Sequence, residues 1–243
     1  MIWGFVLCPA LAFLIANVIP METAWANGLI IVGLTPCAPF VVLLVDRVKG
    51  DLGLTAVLMM VCIVGTVIIM PLVLPHLVMG LTVTSWQILK PILVTIALPM
   101  VIGMLIRRKS VAAANKIQPY AKKVVGINLI VQLVLYAVIY GEALLSSIGS
   151  YVNGSLAIYC LILATVPYWL GFGLRHKEKI VLSIGITSRN IGAAAVPCLA
   201  VAAIDPRTFS VIILTIFWMT IFALLSGKWF GRPALAGEPG QVI

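Results

Sequence analysis

The residues best equipped for chemistry lie where polar groups are most costly. Arg189 sits in the run Gly185-Ile186-Thr187-Ser188-Arg189-Asn190-Ile191-Gly192, at the centre of an apolar stretch that continues to Pro197. A guanidinium is permanently charged and carries five N–H donors. At the middle of a membrane span an arginine costs about 2.5–3.5 kcal/mol on insertion scales, so it must face a partner or a polar cavity. Asp46, Asp51, Glu142, Glu178 and Asp205 all lie in or near the ends of apolar runs, which leaves no carboxylate in a span core. The partners expected for Arg189 are therefore helix C-terminal carbonyls, water or an anionic ligand. Thr187, Ser188 and Asn190 add neutral hydrogen bonding beside it.

A second run, Gly33-Leu34-Thr35-Pro36-Cys37-Ala38-Pro39, interrupts another apolar stretch and begins like the first, Gly-(Leu or Ile)-Thr. Its two prolines remove two backbone donors and clash with the preceding turn. Thr35, Pro36 and Pro39, together with Thr187, Ser188, Arg189 and Asn190, are the candidate residues for binding a solute or an ion. The set offers charge and hydrogen bonds, not bond-making chemistry. Aspartyl catalysis needs two acids sharing a site, zinc proteolysis needs HExxH, and a serine nucleophile needs a base. None of these is present, so neither an enzyme nor a resident cofactor is expected. Cys8, Cys37, Cys62, Cys160 and Cys198 form no CxxC pair and read as small buried apolar residues, with no metal site among them.

The elements that must position these residues are membrane helices. The chain has 243 residues, of which 63% are hydrophobic and 9% charged. A soluble domain carries about a quarter charged residues, so the solvent here must be a bilayer. A span needs about 20 apolar residues. Eight runs qualify, at 2–19, 24–45, 52–75, 88–106, 124–146, 154–174, 180–203 and 208–227, which predicts an all-α, multi-pass membrane protein with no soluble domain. The net charge of +9 is explained by orientation signals and implies no nucleic-acid partner. If the eight spans alternate, Arg47, Lys49, the cluster from Arg107 to Lys123, Arg175, Lys177, Lys179, Lys228 and Arg232 share one side, 13 of the 16 basic residues. The positive-inside rule then puts both termini in the cytoplasm and the chain in a plasma membrane, the inner membrane in a bacterium. Trp25 and Trp86 on the outer side, and Trp3 and Trp229 on the inner, suit interfacial anchoring.

The two interrupted runs fall in spans two and seven. Each precedes an unbroken span, and the two run in opposite directions. Broken helices at matching places in oppositely oriented halves point to the binding site of a secondary transporter built from inverted repeats. A channel-like or non-transporting membrane subunit is the competing class.

At these residues the sequence resembles the bile acid:sodium symporter family. The likeness rests on Gly33 through Asp51, with Pro36 and Lys49-Gly50-Asp51; on Ser183 through Ala195; and on Phe5 through Phe13, which looks like the family's third helix. The resemblance implies an inverted-repeat transporter whose two broken helices cross, against which a panel of other helices moves. It divides the chain into 1–86, the remainder of the first repeat (family helices 3–5), 87–230, the second repeat (helices 6–10), and a cytoplasmic tail, 231–243. Two helices of the family precede the point where this chain starts. A small organic anion is the implied solute, and the bilayer the implied surroundings. The chain departs from the family in its ion ligands. Where the resemblance places a Ser-Asn pair it has Val41-Val42, where it places a carboxylate it has Gly185, and where it places Gln it has Arg189. Asn190 is retained, and Thr55 aligns with a family hydroxyl. Sodium needs oxygen ligands, so sodium coupling is disfavoured and Arg189 is expected to supply the missing positive charge.

Overall fold

A computed structural model describes residues 2–78, 85–94, 98–200 and 204–236. The end of the seventh expected span, 201–203, and the tail beyond Ala236 lie outside the described residues. Every named element is a helix: α1 (Trp3–Val18, opening with a π-helical turn), α2 (Thr23–Gly33), α3 (Val41–Arg47), α4 (Leu52–Leu77), α5 (Ser85–Ile92), α6 (Leu98–Lys109), α7 (Val111–Ile139), α8 (Gly141–Ser146), α9 (Val152–Trp169), α10 (His176–Thr187), α11 (Ile191–Ala200) and α12 (Pro206–Ala236). Leu52–Leu77, Val152–Trp169 and Pro206–Gly231 are each long and apolar enough to cross a membrane unaided. Thr23–Gly33 has only 11 residues, about 16 Å of helix, or half of a 30 Å hydrocarbon core.

The bilayer shows in the side chains. Along α4, Val57, Met60, Val64, Ile68 and Leu72 are all exposed, at helical spacing. The opposite face buries Cys62, Thr66, Met70 and Leu74. A stripe of large apolar residues facing outward along a long helix has hydrocarbon, not water, as its solvent.

The core gathers α1, α2, α9, α10 and α12 around Leu29, Ile31, Tyr159, Leu163 and Ile212. α2 and α12 lie side by side and run in the same direction. The Thr208 hydroxyl donates to the Ala24 carbonyl at 2.9 Å, and Arg207 pairs with both Glu22 and Asp205. A Cβ at Gly28 would meet Val211 Cβ at 2.5 Å and the Thr208 carbonyl at 2.7 Å, so a hydrogen is all that fits there. The Arg207 guanidinium holds the Asp205 carboxyl below its ordinary range. That exposed cluster contributes at most about 1 kcal/mol; the contribution is present above the ordinary Asp pKa of about 3.9 and is lost as pH falls through the lowered value. Past the far end of α3, Arg175 lies 3.9 Å from Asp51 and caps α10 through Glu178.

Two sequence expectations change. The basic stretch after Arg108 is not a long loop. Ser110 caps α7 by accepting the Ala113 N–H at 3.2 Å, and the alanine-rich turn that follows is helical, so Lys116 and Lys123 ride on α7. Alanine has the highest helix propensity, which outweighs the charge signal. Trp25 is not an interfacial anchor, being only 2% exposed and part of the core. Trp86 and Trp229 are exposed.

Gly28→Ala forces the α2–α12 contact apart and is expected to cost about 1–3 kcal/mol. Thermal unfolding in detergent should show a clear drop in Tm, whereas Gly126→Ala, where a Cβ meets nothing within 4 Å, should show none. Equal melting of the two variants would mean that the helices do not approach this closely.

Candidate functional site

Both interrupted stretches open where the sequence places them. α2 ends at Gly33, and its last carbonyls begin to be used by shorter turns, Leu34 N–H to Ile31 O and Thr35 N–H to Val32 O. Pro36 has no N–H, and Cys37 takes a left-handed conformation with φ of 58°. The chain becomes helical again at Val41. In the other stretch α10 ends at Thr187 and α11 starts at Ile191. Asn190 caps α11, its Oδ1 accepting the Ala193 N–H at 3.1 Å.

The two breaks meet. Pro36 and Arg189 form an antiparallel bridge. The Ala38 N–H donates to Ser188 O at 2.9 Å, and the Asn190 N–H donates to Thr35 O at 2.8 Å. Each unwound segment thus satisfies the other's backbone, which a membrane interior requires. The Arg189 N–H goes to Met219 Sδ at 3.3 Å.

The Arg189 side chain completes the junction. It has no exposed surface. Nε donates to Val32 O at 3.1 Å, Nη2 to Gly33 O at 2.6 Å, and Nη1 to Ile186 O at 3.2 Å. These are carbonyls at the ends of α2 and α10, where the helix itself runs out of donors; Val32 O also accepts from Thr35, while Gly33 O and Ile186 O have no other partner among the described residues. A helix C-terminus carries about half a negative charge. Two such ends and one guanidinium therefore balance, and the rigid fork of N–H groups suits several acceptors at once.

The other face of the crossover opens on a cavity of about 160 Å³, lined by Pro39, Phe40, Tyr136, Asn190, Ile191 and Gly192 among others. The N–H groups of Ile191 and Gly192, in the first turn of α11, have no carbonyl partner among the described residues. Asn190 has its oxygen committed to the cap, which leaves its NH₂ as the available end. No acidic residue lines the cavity. It is therefore a site of donors and partial positive charge with apolar walls, suited to an anion with an apolar body. Among the described residues no three of His, Cys, Asp or Glu converge as a metal would require.

The remaining candidates divide clearly. The Thr35 hydroxyl donates to Val32 O and the Thr187 hydroxyl to Ser183 O; both serve their own helices, and their contribution at the crossover is backbone. Ser188 Oγ is buried with no partner among the described residues. Thr55 is not at the crossover. Its hydroxyl donates to Asp51 O at 2.7 Å in the first turn of α4. Val41 is fully buried in an apolar cluster with Val45 and Ile184. A Cβ on Gly185 would meet Leu58 Cδ2 at 2.5 Å, so a side chain there would have to displace the tip of Leu58. Gly192 closes the run that the sequence marks and Tyr136 is a tyrosine that the sequence would by default assign to helix packing; Met219 joins the site without a sequence signal, since periodicity does not reveal which helix a methionine will face. Tyr136 is set by an edge contact with Phe209, ring centroids 6.3 Å apart.

Removing the guanidinium leaves two buried carbonyls, Gly33 O and Ile186 O, unpaired, each worth about 1–3 kcal/mol. Arg189→Ala should lower Tm in detergent by far more than Arg207→Ala, and Arg189→Lys should recover only part of the loss because one ammonium cannot reproduce the fork. An Arg189→Ala protein that melts with the parent would refute the clamp.

The family model described as the sodium bile acid symporter family matches residues 1–147. The match takes in α1 through α8 and the first break. No curated protein matches the chain. With an all-helical architecture, bilayer-facing apolar stripes and a helix broken at Pro36 inside the matched region, the chain belongs to the sodium bile acid symporter family.

Proposed function

We propose that this protein is a secondary transporter that carries a small organic anion, a carboxylate or sulfonate, across a plasma membrane. The observation that carries the proposal is the crossover itself. Two helices unwound at the same place are held by a fixed cation on their C-terminal ends, and one N-terminal end faces a cavity free of acidic residues. Interrupted helices that present their ends to a midplane cavity are how secondary transporters hold charged solutes.

In this reading eight spans cross the bilayer: α1, α2 with α3, α4, α5 with α6, α7, α9, α10 with α11, and α12. The first repeat occupies 1–86, the second 87–230, and 231–243 is a cytoplasmic tail. Two features support the topology. The breaks pair antiparallel, as inverted repeats require. Residues assigned to one side by counting spans also sit together, Glu22 with Asp205 and Arg207, and Asp51 with Arg175. The charge bias then puts both termini in the cytoplasm.

The solute binds between the crossover and α7. Its anionic group takes the free N–H groups of Ile191 and Gly192 and the Asn190 amide, and its apolar body rests against Tyr136, Pro39 and Phe40. Movement of α7 relative to the crossover exposes this cavity to each side in turn. Sodium is not the coupling ion. The positions that resemble the family's ion ligands hold Val41, Val42 and Gly185, and the guanidinium of Arg189 already neutralises the helix ends.

Uptake of a panel of radiolabelled organic anions into proteoliposomes tests this reading, with and without a sodium gradient. Saturable uptake with counterflow, indifferent to sodium, is the expected result; sodium-driven uptake would show that cation sites survive on other oxygens. A Cβ at Gly192 meets only Asn190 Oδ1, at an ordinary 3.5 Å, so Gly192→Leu should fold normally while its side chain occupies the cavity. Uptake by that variant should fall at least tenfold at unchanged Tm; parental uptake would place the solute elsewhere.

A further inference from the structure

A second cleft lies away from the crossover, between the end of α3, α10 and the C-terminal half of α12. It has a volume of about 230 Å³, and its walls include Leu44, Val48, Ile184 and Ala223. Two cations, Arg47 and Lys228, stand on its rim. Both are exposed, and neither forms an ion pair among the described residues. Asp46 precedes Arg47 on α3, but adjacent helix positions do not face one another. Arg47 occupies the last turn of α3, where a basic residue offsets the helix dipole. Lys228 has no such explanation, because α12 continues to Ala236.

Lys228 also ends a track. Phe217, Ile221 and Leu224 are 41%, 48% and 46% exposed. They lie with Lys228 at steps of four, three and four residues, on one face of α12. From Phe217 to Lys228 this face rises about 16 Å, roughly one leaflet of the hydrocarbon core. An apolar strip one leaflet long, leading to a cleft with two unpaired cations, is complementary in shape and charge to an anionic phospholipid.

We propose that this cleft holds the phosphate of an anionic phospholipid between Arg47 and Lys228, with one acyl chain along Leu224, Ile221 and Phe217. The cleft lies at the end of α3 and α10 that also carries Asp51 and Arg175 and the basic residues Lys49, Lys177 and Lys179, the side on which anionic lipids meet polybasic surfaces. A Cβ at Gly227 would touch Val48 Cγ1 at 3.0 Å, so the absence of a side chain there lets α3 approach while leaving the cleft open. A bound lipid would tie the end of α3 to α12 and so brace one half of the crossover from outside.

Native mass spectrometry of the purified full chain, given equal amounts of phosphatidylglycerol and phosphatidylcholine with matched acyl chains, tests the site. The parent should retain phosphatidylglycerol at least tenfold better than phosphatidylcholine. The double variant Arg47→Gln/Lys228→Gln should fall to near parity, while Lys116→Gln/Lys123→Gln on α7, with the same loss of charge, should keep the parental preference. Equal loss in both double variants would reduce the effect to overall charge and overturn the proposal, as would retention in the first. Glycerol phosphate at millimolar concentration should not displace the lipid; displacement would mean that the cleft binds phosphate without the chain, and the lipid assignment would fail.

Discussion

A guanidinium seated on the carbonyl ends of two helices is the interaction on which the rest of this structure depends. Unwinding a helix in hydrocarbon leaves carbonyls with no water to accept from, each costing several kcal/mol. Here two helices unwind at one place, so the exposure is doubled. The chain meets it with two devices. The unwound segments exchange backbone hydrogen bonds, Ala38 to Ser188 and Asn190 to Thr35, and Arg189 takes the carbonyls of Val32, Gly33 and Ile186. The same contacts account for an arginine in the membrane. Its charge faces two half-charges of opposite sign at hydrogen-bond distance, in a region where low polarity strengthens the attraction.

This arrangement separates two kinds of positive charge. The guanidinium is committed to helix C-terminal carbonyls and has no exposed surface, although Arg189 is among the residues that line the cavity. Beside it the cavity has the weaker field of the α11 N-terminus and the donors of Asn190, Ile191 and Gly192. A weak, distributed site suits a carrier, which must release what it binds; a bare guanidinium in a dry pocket would hold an anion tightly.

Most of the crossover was legible before any coordinates. Prolines 36 and 39 and the glycines around Arg189 announce the breaks, because neither residue type continues a helix well. The lack of any carboxylate in a span core narrowed the partners of Arg189 to carbonyls, water or an anion, and the structure selects the carbonyls. The rest depended on information that local pattern does not carry. Thr55 has the right chemistry, but its hydroxyl is turned back on the Asp51 carbonyl in the first turn of α4. Trp25 has the composition of an interfacial anchor, yet close packing of α2 on α12 through Gly28 draws it inside. Lys116 and Lys123 looked like loop residues because charge ends an apolar run, while Ser110 and the alanines after it had already started a helix. Tyr136 faces the cavity only because Phe209 and the placement of α7 turn it there.

The clamp also constrains where motion can occur. Arg189 binds α2 and α10 at one point, and the antiparallel bridge binds the segments that follow them. Sliding one break past the other would leave the carbonyls of Gly33 and Ile186 and two backbone pairs unsatisfied together, a cost of many times the thermal energy. The crossover therefore behaves as one body. α6 buries none of its residues, and α7 keeps Val131, Val134, Leu135, Val138 and Ile139 exposed, so among the described side chains these helices have little buried packing to break. Among the described residues of these two helices, Tyr136 lines the cavity. Any change in access to Asn190 and Gly192 is cheapest at that residue, where a tyrosine edge and a few apolar contacts yield before a buried guanidinium does.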